Sequence, residues 1–96
     1  MATATTEFDA AEYLDSPDMI ATYLRAAFEE NDAALIRTAL NDDARAKGMA
    51  SVAAESKITR QALYKALGPN GNMTLETLLG VLRAMGVRLS VRGEAQ

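Results

Sequence analysis

Residues 49–67 of the chain are MASVAAESKITRQALYKAL. The stretch contains two short helical segments that join at Lys57 and Ile58. Thr59 is a favoured residue for capping the start of the second segment. Ile58 and Leu63 occupy the N′ and N4 positions around that cap, which is the spacing of a hydrophobic staple. The stretch therefore predicts two short helices that meet at a fixed angle, as in a helix-turn-helix.

The two predicted helices, about residues 49–56 and 59–67, have distinct faces. Ala53 is small at the position where the first helix would cross the second closely. The residues of the second helix that helical spacing directs inward are Ala62, Leu63, Ala66 and Leu67. The residues that are expected to face outward, and to bind DNA, are Thr59, Arg60, Gln61, Tyr64 and Lys65.

These outward residue types suit the major groove of DNA. Glutamine can bond adenine with two hydrogen bonds, and Arg60 and Lys65 can reach guanine or phosphate. The amides at a helix start capped by Thr59 can accept a phosphate. Tyr64 has two interpretations, as a residue over a sugar or thymine methyl and as a half-buried core residue. The competing interpretation of the whole motif is an ordinary corner between two helices of a bundle.

Capping signals divide the rest of the chain into further helices. Ser16-Pro17 starts the first helix, and Asn31 or Asp32 ends it and caps the next. Lys47-Gly48 is a typical helix C-terminus. Thr74 caps the last helix, which ends at Gly86. The sequence predicts an all-α fold of about five helices with the helix-turn-helix in the middle.

The alternation of apolar and polar residues over 87–92 predicts a short C-terminal β-strand. Val87, Leu89 and Val91 would form its apolar face, and the chain offers no second strand to pair with it. Pairing with the same strand of a second copy would give a two-fold homodimer. The alternative is a frayed tail.

Composition narrows the possible functions. The 96 residues make one domain, predicted over 16–96 behind an acidic N-terminal arm of residues 1–15. The chain has no Cys, His or Trp, which removes disulfides and the common zinc sites and nucleophile systems. We therefore expect no enzyme, no cofactor and no metal. No apolar run is long enough for a membrane span and no secretory signal is recognisable, so we expect a cytoplasmic protein.

The net charge of −3 conceals a strong asymmetry. Residues 1–43 carry ten acids and two bases, whereas residues 44–96 carry eight bases and three acids. This distribution indicates one half that attracts cations and one that attracts anions, although two ordinary solvated faces would look the same. The acidic pairs Glu29-Glu30 and Asp42-Asp43 are no catalytic dyads, because neighbours on a helix point about 100° apart. We expect both pairs to face solvent or a partner.

The chain resembles the HigA-like antitoxins, the addiction-module antidote proteins within the phage-repressor-like (Xre-type) helix-turn-helix group. The matching stretches are FDAAEYL at 8–14, ARAKGM at 44–49, TRQALYKAL at 59–67, Gly71-Asn72, and residues 78–89 with LRAMG at 82–86. The resemblance implies a DNA-binding antitoxin encoded beside a RelE/HigB-like toxin, usually a basic ribosome-dependent mRNA endonuclease. It also implies binding of that toxin and repression of the shared promoter.

The chain departs from this family at two positions. A glycine usually stands where this chain has Lys57, so a left-handed turn there would cost ~1 kcal/mol. Asp43 stands where relatives usually have an apolar residue, which suggests that this face is exposed or used differently.

The acidic half is the expected toxin-binding region. Phe8, Tyr13 and Leu14 would supply the apolar anchors of the arm, since charge steers a partner while buried apolar groups slow its release. The competing view is that these three residues only pin the arm to the domain's own helices. Two other functions stay open, a stand-alone helix-turn-helix repressor without a toxin and a helical interaction module that binds no DNA.

Overall fold

The structure, a computed structural model, describes residues 16–94. Five helices and no strand occur in this part of the chain, which confirms the predicted all-α class. The helices are α1 (Pro17–Glu29), α2 (Ala33–Lys47), α3 (Met49–Glu55), α4 (Arg60–Ala66) and α5 (Leu75–Ala84). The arm of residues 1–15, with the predicted toxin contacts Phe8, Tyr13 and Leu14, lies outside the described residues.

Side-chain caps fix where the helices begin. The Ser16 hydroxyl accepts the Met19 N–H at 3.2 Å, directly before the proline that opens α1. Between α1 and α2 the sequence left two candidates for the cap. Asp32 takes this role by accepting the Ala34 N–H at 2.9 Å, while Asn31 makes the turn with a φ of 56°. The extended backbone of Asp32 frees its carboxylate for the first amides of α2.

The hydrophobic core joins four helix pairs. α1 packs on α2, α2 on α3, and α3 on both α4 and α5. The core residues with the least exposure are Leu40, Ala44, Val52, Leu63, Val81 and Met85. Because α4 packs mainly on α3, most of its circumference stays at the surface of the molecule.

The prediction of a C-terminal β-strand is wrong, because residues 87–92 form no strand in the structure. After Gly86, which lies beside Pro17, residues 87–92 follow α1 towards its end, where Arg92 pairs with Glu29 at 2.6 Å. A strand needs a neighbouring strand for its ladder of hydrogen bonds, and residues 16–94 contain none to supply it.

The three residues of the predicted strand face have unequal surroundings. Val87 packs against the core, and its N–H donates to the Leu82 carbonyl at 3.1 Å. Leu89 is 37% exposed and Val91 is 97% exposed. Alternation along the sequence predicted one shared apolar face, but without a β-ladder the three side chains do not share one environment.

Candidate nucleic-acid interface

Helix α4 presents nearly all of its polar side chains to solvent. Leu63 and Leu67 anchor the helix in the core, and Ala66 is half-buried. The predicted site residues, Thr59, Arg60, Gln61, Tyr64 and Lys65, are all exposed. Ala62, which the sequence directs inward, is exposed as well, because α4 packs mainly on α3 and its buried stripe is narrow.

A tight connection holds α4 at its angle to α3. Lys57 is left-handed with a φ of 62°. The N–H of Ile58 donates to the Ala53 carbonyl at 3.1 Å, and the Ile58 side chain packs against the core, to which Leu63 also belongs. The Thr59 hydroxyl then accepts the Ala62 N–H at 3.0 Å and starts α4. The apolar residue before the Thr59 cap and Leu63 in the first turn after it thus both contribute to the core, as the spacing of a hydrophobic staple predicts.

The electrostatic character of this surface is positive. Residues 56–75 contain three bases, Lys57, Arg60 and Lys65, and no acid. All three bases are exposed, and none of them forms an ion pair within residues 16–94. Free cations at an exposed helix are available to an anionic partner.

Arg60 and Tyr64 interact one turn apart on the exposed face. The Arg60 Cζ lies 5.9 Å from the centre of the Tyr64 ring, and the Arg60 Nη2 donates a hydrogen bond to the Tyr64 hydroxyl at 3.5 Å. Tyr64 is 48% exposed and is not part of the core, so its interpretation as a core residue is wrong. The pair orients a planar cation and an aromatic ring towards the same side of α4.

Two further residues shape the loop that follows α4. Arg37 on α2 donates from Nε to the Gly68 carbonyl at 3.2 Å and from Nη2 to the Pro69 carbonyl at 3.1 Å. Gly71 approaches the end of α4 so closely that a Cβ there would lie 2.0 Å from the Ala66 carbonyl oxygen. Sequence reasoning missed the role of Arg37, since no spacing rule links α2 to a loop some thirty residues away.

The acidic pair of α2 divides into two different environments. Asp42 accepts hydrogen bonds from the Tyr23 hydroxyl at 2.6 Å and from Arg45 at 2.7 Å. Asp43 is 0% exposed, and neither of its carboxylate oxygens has a hydrogen-bond partner. The expectation that both would face solvent or a partner is therefore wrong for Asp43, which lies on the buried side of α2 with Ala39 and Ala44.

Burial governs the titration of this region. Loss of solvation, helped by the neighbouring Asp42 charge, raises the pKa of Asp43 to about 7. Burial and the hydrogen bond to Asp42 also raise the pKa of Tyr23 to about 12. Asp43 therefore keeps its proton to a much higher pH than an exposed carboxyl does.

The remaining acids of the first two helices are accessible. Asp18, Glu29, Glu30 and Asp32 are all exposed on or beside α1 and at the start of α2. No three His, Cys, Asp or Glu side chains within residues 16–94 are grouped so that they could hold a metal ion. None of the helices in that range has both the length and the apolar character needed to cross a membrane.

Residues 16–94 thus form a small five-helix protein with a short, exposed and positively charged helix, and with exposed acids on α1 and in the connection from α1 to α2. The family model described as "probable addiction module antidote protein" matches residues 4–93. The chain belongs to this family of antidote proteins.

One relative was found by sequence comparison. The chain is 40% identical over 86 residues to an uncharacterised protein of Haemophilus influenzae, and the match covers 90% of this chain and 89% of the relative. No solved structure matches the chain. The family description implies a toxin partner and a regulatory rather than an enzymatic role.

Proposed function

We propose that this protein is the antitoxin of a type II toxin–antitoxin module, which acts in the cytoplasm, binds its own promoter through α4 and neutralises a RelE/HigB-like toxin. The observation that carries the DNA-binding part is the exposure of five polar or basic side chains around one capped helix whose apolar side is buried. The family match supports the antitoxin part and weighs against a repressor without a toxin.

Each exposed side chain of α4 has a role in this proposal. Gln61 and Arg60 contact base edges in the major groove, because amide and guanidinium groups form paired hydrogen bonds there. Lys65 contacts phosphate and contributes affinity without choosing sequence. Thr59 holds the start of α4 in place, and Tyr64 packs over a sugar or a thymine methyl while it supports Arg60.

The toxin contact is proposed on the acidic half of the chain. Exposed acids of α1 and of the connection from α1 to α2 would steer a basic nuclease to this side of the molecule. Phe8, Tyr13 and Leu14 of the arm would add the apolar contacts that slow dissociation. Toxin and DNA would then occupy surfaces of opposite charge on one chain.

The proposed DNA-binding form is a homodimer. One short recognition helix contacts few base pairs, and two copies on a two-fold operator double the number of specific contacts. The residues that we propose as dimer contacts are the three predicted from the sequence, Val87, Leu89 and Val91. The exposure of Val91 and Leu89 agrees with such a role, while Val87 contributes to the core of its own chain.

A gel-shift titration of the wild-type protein on DNA upstream of its own gene tests the proposal. Lys65→Ala should weaken binding on all sequences and lower the salt dependence by about one phosphate contact. Arg25→Ala removes the same unit of charge from an exposed position of α1 and should leave binding unchanged. Absence of any shift by the wild-type protein would favour an interaction module without DNA binding.

A second measurement separates the antitoxin from a stand-alone repressor. A small basic RelE-like reading frame beside the gene should encode a protein that arrests growth when produced alone. Coexpression of the antitoxin should restore growth, and the two proteins should copurify. Operator binding without rescue would support the repressor instead.

A further inference from the structure

Helix α4 is short and packs mainly on one neighbour. It has seven residues, about two turns, and its principal contact is with α3. The turn at Lys57 and the Thr59 cap connect its start to α3. At its end, Leu67 enters the core and is followed by the loop of residues 68–72. The orientation of the polar side chains of α4 therefore also depends on what holds this loop.

Arg37 of α2 reaches the loop across the fold. Its Nε donates to the Gly68 carbonyl at 3.2 Å, and its Nη2 donates to the Pro69 carbonyl at 3.1 Å. Because the donors of a guanidinium lie in one rigid plane, two bonds to neighbouring carbonyls set both the position and the direction of the loop. Arg37 thus joins α2 to the end of α4, although these two helices share no extensive packing.

The Gly68 peptide group connects Arg37 to the last turn of α4. The Gly68 N–H donates to the Lys65 carbonyl at 3.2 Å. The Gly68 carbonyl accepts the Gly71 N–H at 2.9 Å in addition to the bond from Arg37. A continuous set of hydrogen bonds therefore runs from α2 through the loop to α4.

The charge of Arg37 has no acidic partner. The side chain is half-buried and forms no ion pair within residues 16–94. Its two acceptors are backbone carbonyls just beyond the end of α4, where the helix dipole favours a cation. The contacts of Arg37 are therefore those of a residue that fixes the backbone, and it neutralises no carboxylate.

We propose that Arg37 is a positioning residue for DNA binding, which holds the end of α4 in the orientation that lets Arg60 and Gln61 reach base edges. The inference rests on the proposed function, in which α4 reads the operator. Paired hydrogen bonds to a base require accurate placement of the helix, whereas phosphate contacts carry no sequence information. Loss of the Arg37 bonds should thus lower the preference for the operator more than the affinity for DNA in general.

Two dissociation constants of the full-length protein test this proposal. One is measured on DNA upstream of its own gene and the other on unrelated DNA of equal length at the same salt concentration. Arg37→Ala should lower the preference for the operator, the ratio of the two constants, about tenfold. Arg25→Ala is the matched control, because it removes the same charge from an exposed position of α1 and should leave the ratio unchanged.

The ratio separates positioning from two simpler effects. A fraction of unfolded protein would weaken binding to both DNAs by the same factor. Loss of a phosphate contact made by Arg37 itself would do the same, because such a contact is independent of sequence. Equal weakening on both DNAs by Arg37→Ala therefore overturns the proposal.

Arg37→Lys tests the paired bonds without loss of charge. Lysine keeps a long aliphatic stem and a positive charge, so the variant retains the packing around this position. Its ammonium is a compact charge that cannot reproduce the planar pair of donors, and the operator preference should fall at least about threefold. A wild-type ratio in Arg37→Lys would show that charge is sufficient and would overturn the proposal.

Amide hydrogen exchange measured by NMR provides a readout without DNA. In Arg37→Ala the Gly71 N–H should exchange about tenfold faster, because its acceptor on Gly68 is no longer held. The Ser56 N–H, which donates to Val52 within α3, is the reference and should keep its rate. Unchanged exchange at Gly71 would overturn the proposal.

The outcomes distinguish this inference from the proposed function. A wild-type chain that shows no preference for its operator would overturn the proposed function and, with it, the role of Arg37 in DNA binding. A normal preference in the wild type and in both Arg37 variants would overturn this inference alone.

Discussion

The Tyr23 hydroxyl on α1 donates a 2.6 Å hydrogen bond to the Asp42 carboxylate on α2 and so links the first two helices. The neighbouring carboxyl of Asp43 points to the buried side of the same helix and has no partner. One acid of the pair therefore joins two helices, whereas the other brings an ionisable group into the core at the expense of stability.

Asp43 should make the stability of the fold fall with rising pH. The folded chain keeps a proton on Asp43 up to about pH 7, whereas an unfolded carboxyl loses it near its ordinary value of 3.8. The free energy of unfolding that Asp43 contributes therefore falls as the pH rises from about 4 to about 7, and it does not change further at higher pH. Between pH 5 and pH 8 the loss amounts to about 2–3 kcal/mol.

Urea unfolding of wild type and Asp43→Asn at pH 5 and pH 8 measures this effect. The variant should gain stability relative to wild type mainly at pH 8, because it removes the buried charge. Glu30→Gln, at an exposed acid of α1, is the control and should follow wild type. Equal pH dependence of wild type and Asp43→Asn would contradict the prediction.

Lys57→Gly should stabilise the protein by about 1 kcal/mol. The left-handed backbone of Lys57, with a φ of 62°, strains any side chain with a Cβ and suits glycine. Lys47→Gly provides the opposite control, since Lys47 is the last helical residue of α2 and its replacement should destabilise. Thermal unfolding compares the two, and a loss of stability in Lys57→Gly would show that the turn does not need glycine geometry.

Gly71→Ala should destabilise the protein by about 1–3 kcal/mol. The added methyl group would overlap the Ala66 carbonyl at the end of α4, so the loop or the helix must shift. Gly93→Ala is the matched control because nothing lies within 4 Å of a Cβ there. Denaturant unfolding of both variants should separate them, and identical midpoints would refute the close approach.

Gln61→Ala should change which DNA sequences are bound. Removal of a paired contact to one base should cost about 1–3 kcal/mol on the native operator and almost nothing on operators altered at that base pair. Titration against a panel of single-base operator variants measures this pattern. If the variant binds the native operator as tightly as wild type does, Gln61 does not read a base.

Removal of residues 1–15 should abolish rescue from the toxin while operator binding stays intact. The acidic arm supplies charge and the apolar residues Phe8, Tyr13 and Leu14, and the DNA-binding surface on α4 uses none of them. Growth of cells that produce the neighbouring toxin is the readout, after helicity and operator binding have been checked. Normal rescue by the shortened chain would place the toxin contact on the helices.

Local chemistry in the sequence was sufficient for the helix starts. Ser16, Thr59 and Thr74 cap their helices as predicted, because a hydroxyl three residues before an amide satisfies that amide without help from the rest of the fold. The same holds for the polar side chains of α4, which helical spacing around Leu63 correctly directs to the surface, although it also directed the exposed Ala62 inward. Interactions within four residues along the chain determine these features.

Only the tertiary structure decided which polar groups are buried and which distant segments meet. Helical spacing places Asp43 on the same side of α2 as Ala39 and Leu40, but only the packed fold buries its carboxyl completely and gives Asp42 a tyrosine partner from α1. The alternation at 87–92 was compatible with a strand, but a strand forms only where a second strand is present. The sequence alone determined contacts within a helix turn, whereas contacts between helices depended on the relative positions of whole elements.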